Sequence, residues 1–305
     1  MMRDLILAFG DQLSRGADSA KPLDISFPRI ISCGMGGSAV AGEMVSLVRD
    51  DVIIHWDYDL PVHASEHDLV VCTSWSGDTE ETISSYERAR SLGCHTLVIT
   101  TGGKLAYLAQ TNGTPLVLLP HDTSAPRAAA GLMLGALLGS LGMAAQLPKI
   151  DAAALEKEGK QLADGLGDRM LVVYASHPWR RLTGFWKMVY SETTKRQVMA
   201  NWFPSGAHVE IVGWEGPYTD RAAFILLRDA DESPRYAKNF DALLALFGRK
   251  GYDVRTVGLK GATALQKACN AYVTALWTAL YAAQASGVDP EATAFLDEFK
   301  KLKNA

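Results

Sequence analysis

With 305 residues, 48% of them hydrophobic, the chain is long enough to bury a large core and to form two domains. Its 30 basic and 34 acidic residues leave a formal charge of −4 with no long block of either sign, which excludes nucleic acid and anionic membrane surfaces as bulk partners.

The opening MMRDLILAFGDQLSRG is an amphipathic helix with acid on both sides of a brief apolar stretch, not a secretory signal, so a cytoplasmic location is expected. Cys33, Cys72, Cys94 and Cys269 lack CxxC spacing, and three of them lie in or beside apolar runs, which suits buried thiols in a reducing compartment. A strand is predicted at Arg29–Cys33, broken by glycines and followed by the helical stretch SAVAGEMVSLVR. Further strands are predicted at Val52–Trp56, Leu69–Cys72, Thr96–Thr100 and Pro115–Leu119, with a helix over Thr79–Leu92. Such alternation implies a parallel sheet covered by helices on both faces.

The run Ala128–Leu147 carries no charge, yet it is rich in Ala and Gly and lacks flanking basic clusters, so it is predicted as a buried helix and not a membrane span. Gly131, Gly135 and Gly139 recur every fourth residue and leave one face nearly bare, a face expected at a subunit or domain interface. The second half is predicted as helix Asp151–Leu166, strand Met170–Ala175, helix Arg181–Lys195, strands His208–Val212 and Ala222–Leu227, helix Arg235–Lys250 and strand Asp253–Val257. The long helix Ala262–Ser286 and a last helix from about Pro290 complete it. The fold class is therefore α/β, with two domains, 1–150 and 151–305, each a mainly parallel sheet between helices.

Two loops carry the chemistry. Gly34-Met35-Gly36-Gly37-Ser38-Ala39 joins a strand to a helix, where backbone N–H groups and the helix dipole favour a phosphate. The same residues satisfy GxGxxG/A, and Asp57 follows about 20 residues on, so this loop alone leaves a dinucleotide open. Thr73-Ser74-Trp75-Ser76-Gly77-Asp78-Thr79 again follows a strand and precedes a helix, converging hydroxyls and backbone donors on a second positive helix end. Two such loops after neighbouring strands favour one compact phosphate monoester. The seven histidines are scattered, and His55, His63 and His67, the nearest to a cluster, span a strand and a loop, so neither metal nor cofactor is expected.

The stretches ISCGMGGSAVAGE, CTSWSGDTEET, VITTGGKLAYLA and SAPRAA resemble, in order and spacing, the sugar isomerase (SIS) domain that opens members of the phosphoglucose/phosphomannose isomerase family. GVDPEATAFLDEFKKL is similar to that family's closing helix. The resemblance implies two SIS-type domains and a phosphate held by Gly37, Ser38, Ser74, Ser76 and Thr79. It assigns Arg127 to stabilising an enediolate and Glu192, within Ser191–Lys195 at the place of the family's NENAK motif, to the catalytic base. His208, sixteen residues later, and Lys300 would assist ring opening, and Thr293, seven residues before Lys300 on one helix, would shape the space around C2. The implied reaction is a metal-independent interconversion of glucose 6-phosphate, and of mannose 6-phosphate, with fructose 6-phosphate through a cis-enediol. A homodimer is implied too, each site taking its histidine from the partner subunit. Two other readings remain: a non-catalytic SIS protein that binds sugar phosphates, which would explain the altered NENAK stretch, and an NAD-dependent dehydrogenase, which would explain GMGGSA and Asp57.

Overall fold

A computed structural model describes residues 1–121, 123 and 125–303. Two compact units form: Asp4–Ala152 with Gly261–Cys269, and Met1–Arg3 with Ala153–Lys260 and Asn270–Ala305.

After helices Met2–Leu7 (α1) and Phe9–Asp18 (α2), the first unit alternates Ile30–Cys33 (β1), Val40–Val45 (α3), Val52–His55 (β2), Leu69–Ser74 (β3), Glu80–Leu92 (α4), His95–Thr100 (β4), Gly103–Thr111 (α5), Leu116–Leu118 (β5) and Ala130–Ser140 (α6). All five strands are parallel, in the order β2-β1-β3-β4-β5. Every residue of β1 and β3 is buried, the pattern of a sheet covered on both faces. Ile31, Cys33, Val70, Cys72, Val98, Tyr86 and Leu105 pack there into one apolar cluster. Chain order reverses between β1 and β3, and in such sheets ligands bind in the crevice outside the carboxyl ends at that reversal. Cys33 stands level with Cys72 in the ladder, so the loops that leave these two strands start side by side. All four cysteines are buried free thiols, and a hydrogen bond with Cys33 together with burial pushes the Cys72 thiol well up.

Helix α6 is buried along its whole length, and its glycine face differs from expectation. A Cβ at Gly131 would come within 2.9 Å of Phe9 O, at Gly135 within 2.1 Å of Leu13 O, and at Gly139 within 2.8 Å of Ala17 O. Gly16 returns the contact, with Leu132 O at 2.1 Å. The bare face is thus taken by α2 of the same chain and is not open to a second subunit. Among the described residues no helix is long and apolar enough to cross a membrane.

The second unit runs Ala152–Leu166 (α7), Met170–Ser176 (β6), Arg180–Thr194 (α8), Val198–Phe203 (β7), Ser205–Val209 (α9), Ala222–Arg228 (β8), Pro234–Lys250 (α10), Val254–Gly258 (β9), Ala264–Ala285 (α11) and Ala294–Lys303 (α12). Its parallel sheet has the order β7-β6-β8-β9, the plan of the first sheet without the last strand. The expected strand at His208–Val212 is instead the end of α9 and a 3-10 turn, and the strand lies ten residues earlier. VMANWF forms an edge strand paired only to β6 and half covered, so it needs no continuous apolar run. Aromatic rings fill this core, with Phe224 against Phe247 at 4.6 Å and edge-on to Trp214 at 4.9 Å.

Candidate functional site

The first loop leaves β1 through Gly36, at φ +52, into a 3-10 turn Gly36–Ser38 and the six-residue α3. That helix is short, so the longer dipole at the crevice belongs to α4, whose thirteen residues follow the second loop. Ser38 is buried, and its Oγ accepts the Trp75 N–H at 3.0 Å, locking the two loops together. Gly37 packs against the turn Pro126–Ala129, where a Cβ would fall 2.7 Å from Arg127 N, so a glycine is needed for that approach. Arg127 is only 1% exposed. The structure therefore brings Gly37, Ser38, the second loop and Arg127 into one neighbourhood within the first unit.

In the second loop Ser74 Oγ and Thr79 Oγ1 share a hydrogen bond of 2.9 Å, and Ser74 Oγ also accepts the Gly77 N–H at 3.1 Å. Ser76, on the exposed side, accepts the Asp78 N–H at 3.2 Å, which leaves its own O–H to donate elsewhere. Thr79 precedes α4 in an extended conformation, the geometry of an N-cap. The β4–α5 turn braces this loop from behind. Asp78 Oδ1 accepts the Lys104 N–H at 2.9 Å, Gly77 O accepts the Leu105 N–H, and Gly77, at φ +78, lies where a Cβ would meet Gly102 O. Hydroxyls, loop amides and a helix N-terminus facing one crevice suit a dianion, and Arg127 is buried in the turn that packs on Gly37. Asp57, the residue a dinucleotide would need, accepts its neighbour Tyr58's N–H at 2.8 Å. Among the described residues no group of three or more His, Cys, Asp or Glu gathers as for a metal.

The second unit presents its expected residues at the surface. Glu192 lies exposed in the last turn of α8, which ends at Lys195 in the left-handed region at φ +58. Lys195 Nζ donates to Glu192 O at 2.7 Å and to Pro290 O at 3.4 Å, tying that turn to the segment that leads to Thr293. Thr293 is not inside the last helix, as expected, but directly before it. Its carbonyl accepts the Asp297 N–H and its Oγ1 donates to Asp297 Oδ2 at 2.9 Å, because a threonine satisfies a helix start better than a helix interior. Lys300 is exposed on α12, which buries none of its residues. His208 is exposed on α9, held in place two residues on by Glu210, which accepts from Tyr174 Oη at 2.6 Å and from Asn201 Nδ2 at 2.8 Å. Glu192 thus precedes β7 and His208 follows it, so a strand of roughly 17 Å separates their ends of the unit.

At the reversal of the second sheet, between β6 and β8, Trp179 Nε1 donates to Asp229 Oδ2 at 3.0 Å, and both side chains are buried. An indole and a carboxylate occupy the crevice that in the first unit is lined by hydroxyls. A cavity of about 500 Å³ opens beside it among Arg228, Asp229, Glu232, Thr256 and Lys260, and none of the expected residues lines it. Sequence reasoning missed Trp75, Asp78 and Thr101 as braces of the second hydroxyl loop. The available signal was the Gly102-Gly103 pair after β4, which marks a close backbone approach.

Residues 155–302 match the family model of the bacterial phospho-glucose isomerase C-terminal SIS domain. The chain is 28% identical over 300 residues to a bifunctional phosphoglucose/phosphomannose isomerase of Aquifex aeolicus, spanning 93% of this chain and 92% of that one. A protein of the same name from Thermoplasma volcanium is 26% identical over 90% of this chain and 91% of its own. Among solved structures, a glucose-6-phosphate isomerase like protein from Thermus thermophilus superposes with a TM-score of 0.66 over 96% of this chain and 94% of that one, at 19% identity, a likeness of fold.

Proposed function

We propose that the chain belongs to the bifunctional phosphoglucose/phosphomannose isomerase family and interconverts glucose 6-phosphate and mannose 6-phosphate with fructose 6-phosphate. The observation that carries the reading is the Ser38–Trp75 lock, which fixes two hydroxyl-bearing loops at the reversal of the first sheet with Arg127 buried beside them. Residues 1–150 then form the phosphate-holding domain and 151–305 the domain of the base and the closing helix.

The phosphate is held by Ser38, Ser74, Ser76 and Thr79, by loop amides past Gly37 and by the start of α4. Once it is held, the sugar is a tethered reactant, and each proton transfer becomes intramolecular. His208 and Lys300 open the ring. Glu192 then removes the C2 proton and returns it at C1, and Arg127 stabilises the negative charge that builds on the enediolate oxygens. Glucose and mannose 6-phosphates differ only at C2, which is planar in the enediol, so room near Thr293 for rotation about C1–C2 would admit both epimers. No step calls for redox chemistry.

Each site is completed by a second copy of the chain. Two observations support this: β7 separates Glu192 from His208 within one unit, and in the stretch that follows His208 the apolar Val209, Val212 and Tyr218 are at least 70% exposed. The last helix adds exposed Phe295, Phe299 and Leu302.

A coupled assay with glucose and mannose 6-phosphates tests the reading. Glu192→Gln should lower kcat by about 10²–10⁴-fold while substrate binding stays within about twofold. Tight sugar-phosphate binding by a wild-type protein that turns over neither sugar would instead favour the regulatory reading.

A further inference from the structure

We propose that Trp75 is a positioning residue for this isomerisation, setting the Arg127 guanidinium relative to the bound phosphate by gripping both the phosphate loops and the chain just ahead of Arg127. The proposal rests on the isomerase reading above.

Trp75 is buried at 3% exposure in the middle of the second hydroxyl loop, where a phosphate-binding turn has no intrinsic need of a large ring. It meets three other segments. Its main-chain N–H donates to Ser38 Oγ at 3.0 Å, which holds the first loop. Its carbonyl accepts the Thr101 N–H at 3.1 Å and the Thr101 O–H at 2.6 Å, which holds the turn after β4. Its indole Nε1–H donates to the main-chain carbonyl of Thr123 at 2.8 Å, while the ring stands edge-on to His121 with centroids 6.0 Å apart.

The last of these reaches Arg127. Thr123 Oγ1 accepts the Ala125 N–H at 2.9 Å, and the 3-10 turn Pro126–Ala129 begins at the next residue. That turn packs on Gly37, so the first loop holds the turn itself and the indole holds Thr123 three residues before it. The two arms of Trp75 are chemically separate. Its main-chain arm fixes Ser38 whatever the side chain, whereas only an N–H on the ring reaches Thr123 O. A guanidinium that stabilises a developing oxyanion must be placed within a fraction of an ångström, and a misplacement of about 1 Å costs about 10²-fold in rate. A rigid indole with two rotatable bonds fixes such a distance with little residual freedom.

Trp75→Phe keeps the main-chain arm and most of the ring volume and removes the donor. The variant should show kcat for glucose 6-phosphate lowered about 10- to 100-fold, with the competitive Ki of inorganic phosphate changed by less than about threefold. In parallel, phenylglyoxal should modify Arg127 faster than in wild type, read by peptide mass spectrometry. Thr101→Val, which loosens the opposite end of Trp75 and leaves the indole in place, should give the same pattern at smaller size, and it carries the test if the phenylalanine variant does not fold. An unchanged kcat would overturn the proposal. So would a loss of kcat matched by an equal weakening of phosphate with Arg127 still protected, since Trp75 would then only hold the loop folded. A wild-type protein that binds phosphate without turning over either sugar would overturn the isomerase reading instead, and the labelling rate of Arg127 would by itself decide on Trp75.

Discussion

Ser38 Oγ accepts the Trp75 N–H, and in the proposed function its own proton would go to the phosphate. Ser38→Ala should therefore leave a buried N–H unpaired and raise KM for glucose 6-phosphate about tenfold, with a smaller change in kcat, as steady-state kinetics would show. That Ser38, Ser74 and Thr79 face a helix start was legible locally, because serine and threonine between a strand and a helix satisfy helix-end donors. The burial of Arg127 was not legible, since SAPRAA has the composition of a surface turn and only Gly37, some ninety positions away, admits it. Asp68 shows the same dependence on distant residues. Burial alone would raise its carboxyl, but paired hydrogen bonds from Arg29 at 2.9 Å and from the Ser65 N–H outweigh it and hold the carboxyl below its usual range. A lowered folded pKa gives stability that is complete above the unfolded value of about 3.9 and lost as pH falls through the folded one. Asp68→Asn should cost about 2 kcal/mol in urea unfolding at neutral pH, and the difference from wild type should shrink below about pH 4.

Among the elements, α6 shows how a correct local reading can carry a wrong assignment of partner. Its three glycines do create a bare face, but a face one residue deep fits whichever helix arrives first, and α2 lies against it with backbone carbonyls at glycine distance. Gly135→Ala should accordingly destabilise by about 3 kcal/mol, because the new methyl meets main chain and not a mobile side chain, and the midpoint of thermal unfolding would report it. Gly184, exposed inside α8 with nothing within 4 Å of its missing Cβ, offers the opposite case. Gly184→Ala should stabilise by about 0.5–1 kcal/mol in the same measurement. The strand β7 escaped notice for a different reason: an edge strand with one partner carries Asn and Met on a half-covered surface, so its sequence lacks the continuous apolar signal of β1 or β3.

For the whole molecule, two sheets share one strand plan, yet hydroxyl-bearing loops stand at the reversal of the first and the Trp179–Asp229 pair at that of the second. The proposed sharing of sites between two copies makes assembly and activity inseparable. Wild-type protein should sediment as a dimer, and Val212→Glu, which places a charge on the apolar surface near His208, should shift it toward monomer and lower turnover at least tenfold. An active wild-type monomer would rule out the shared site. By itself the sequence determined the alternation of strands and helices, the parallel sheets and the hydroxyls at two strand ends, since periodicity and turn chemistry act over a few residues. The tertiary structure alone decided that α2 fills the glycine face of α6, that Arg127 lies buried against Gly37, that Trp75 joins three segments, and that Trp179 pairs with Asp229 at the second reversal. A pattern of apolar or small residues states that a surface must be covered; which surface covers it depends on shapes brought together from far along the chain.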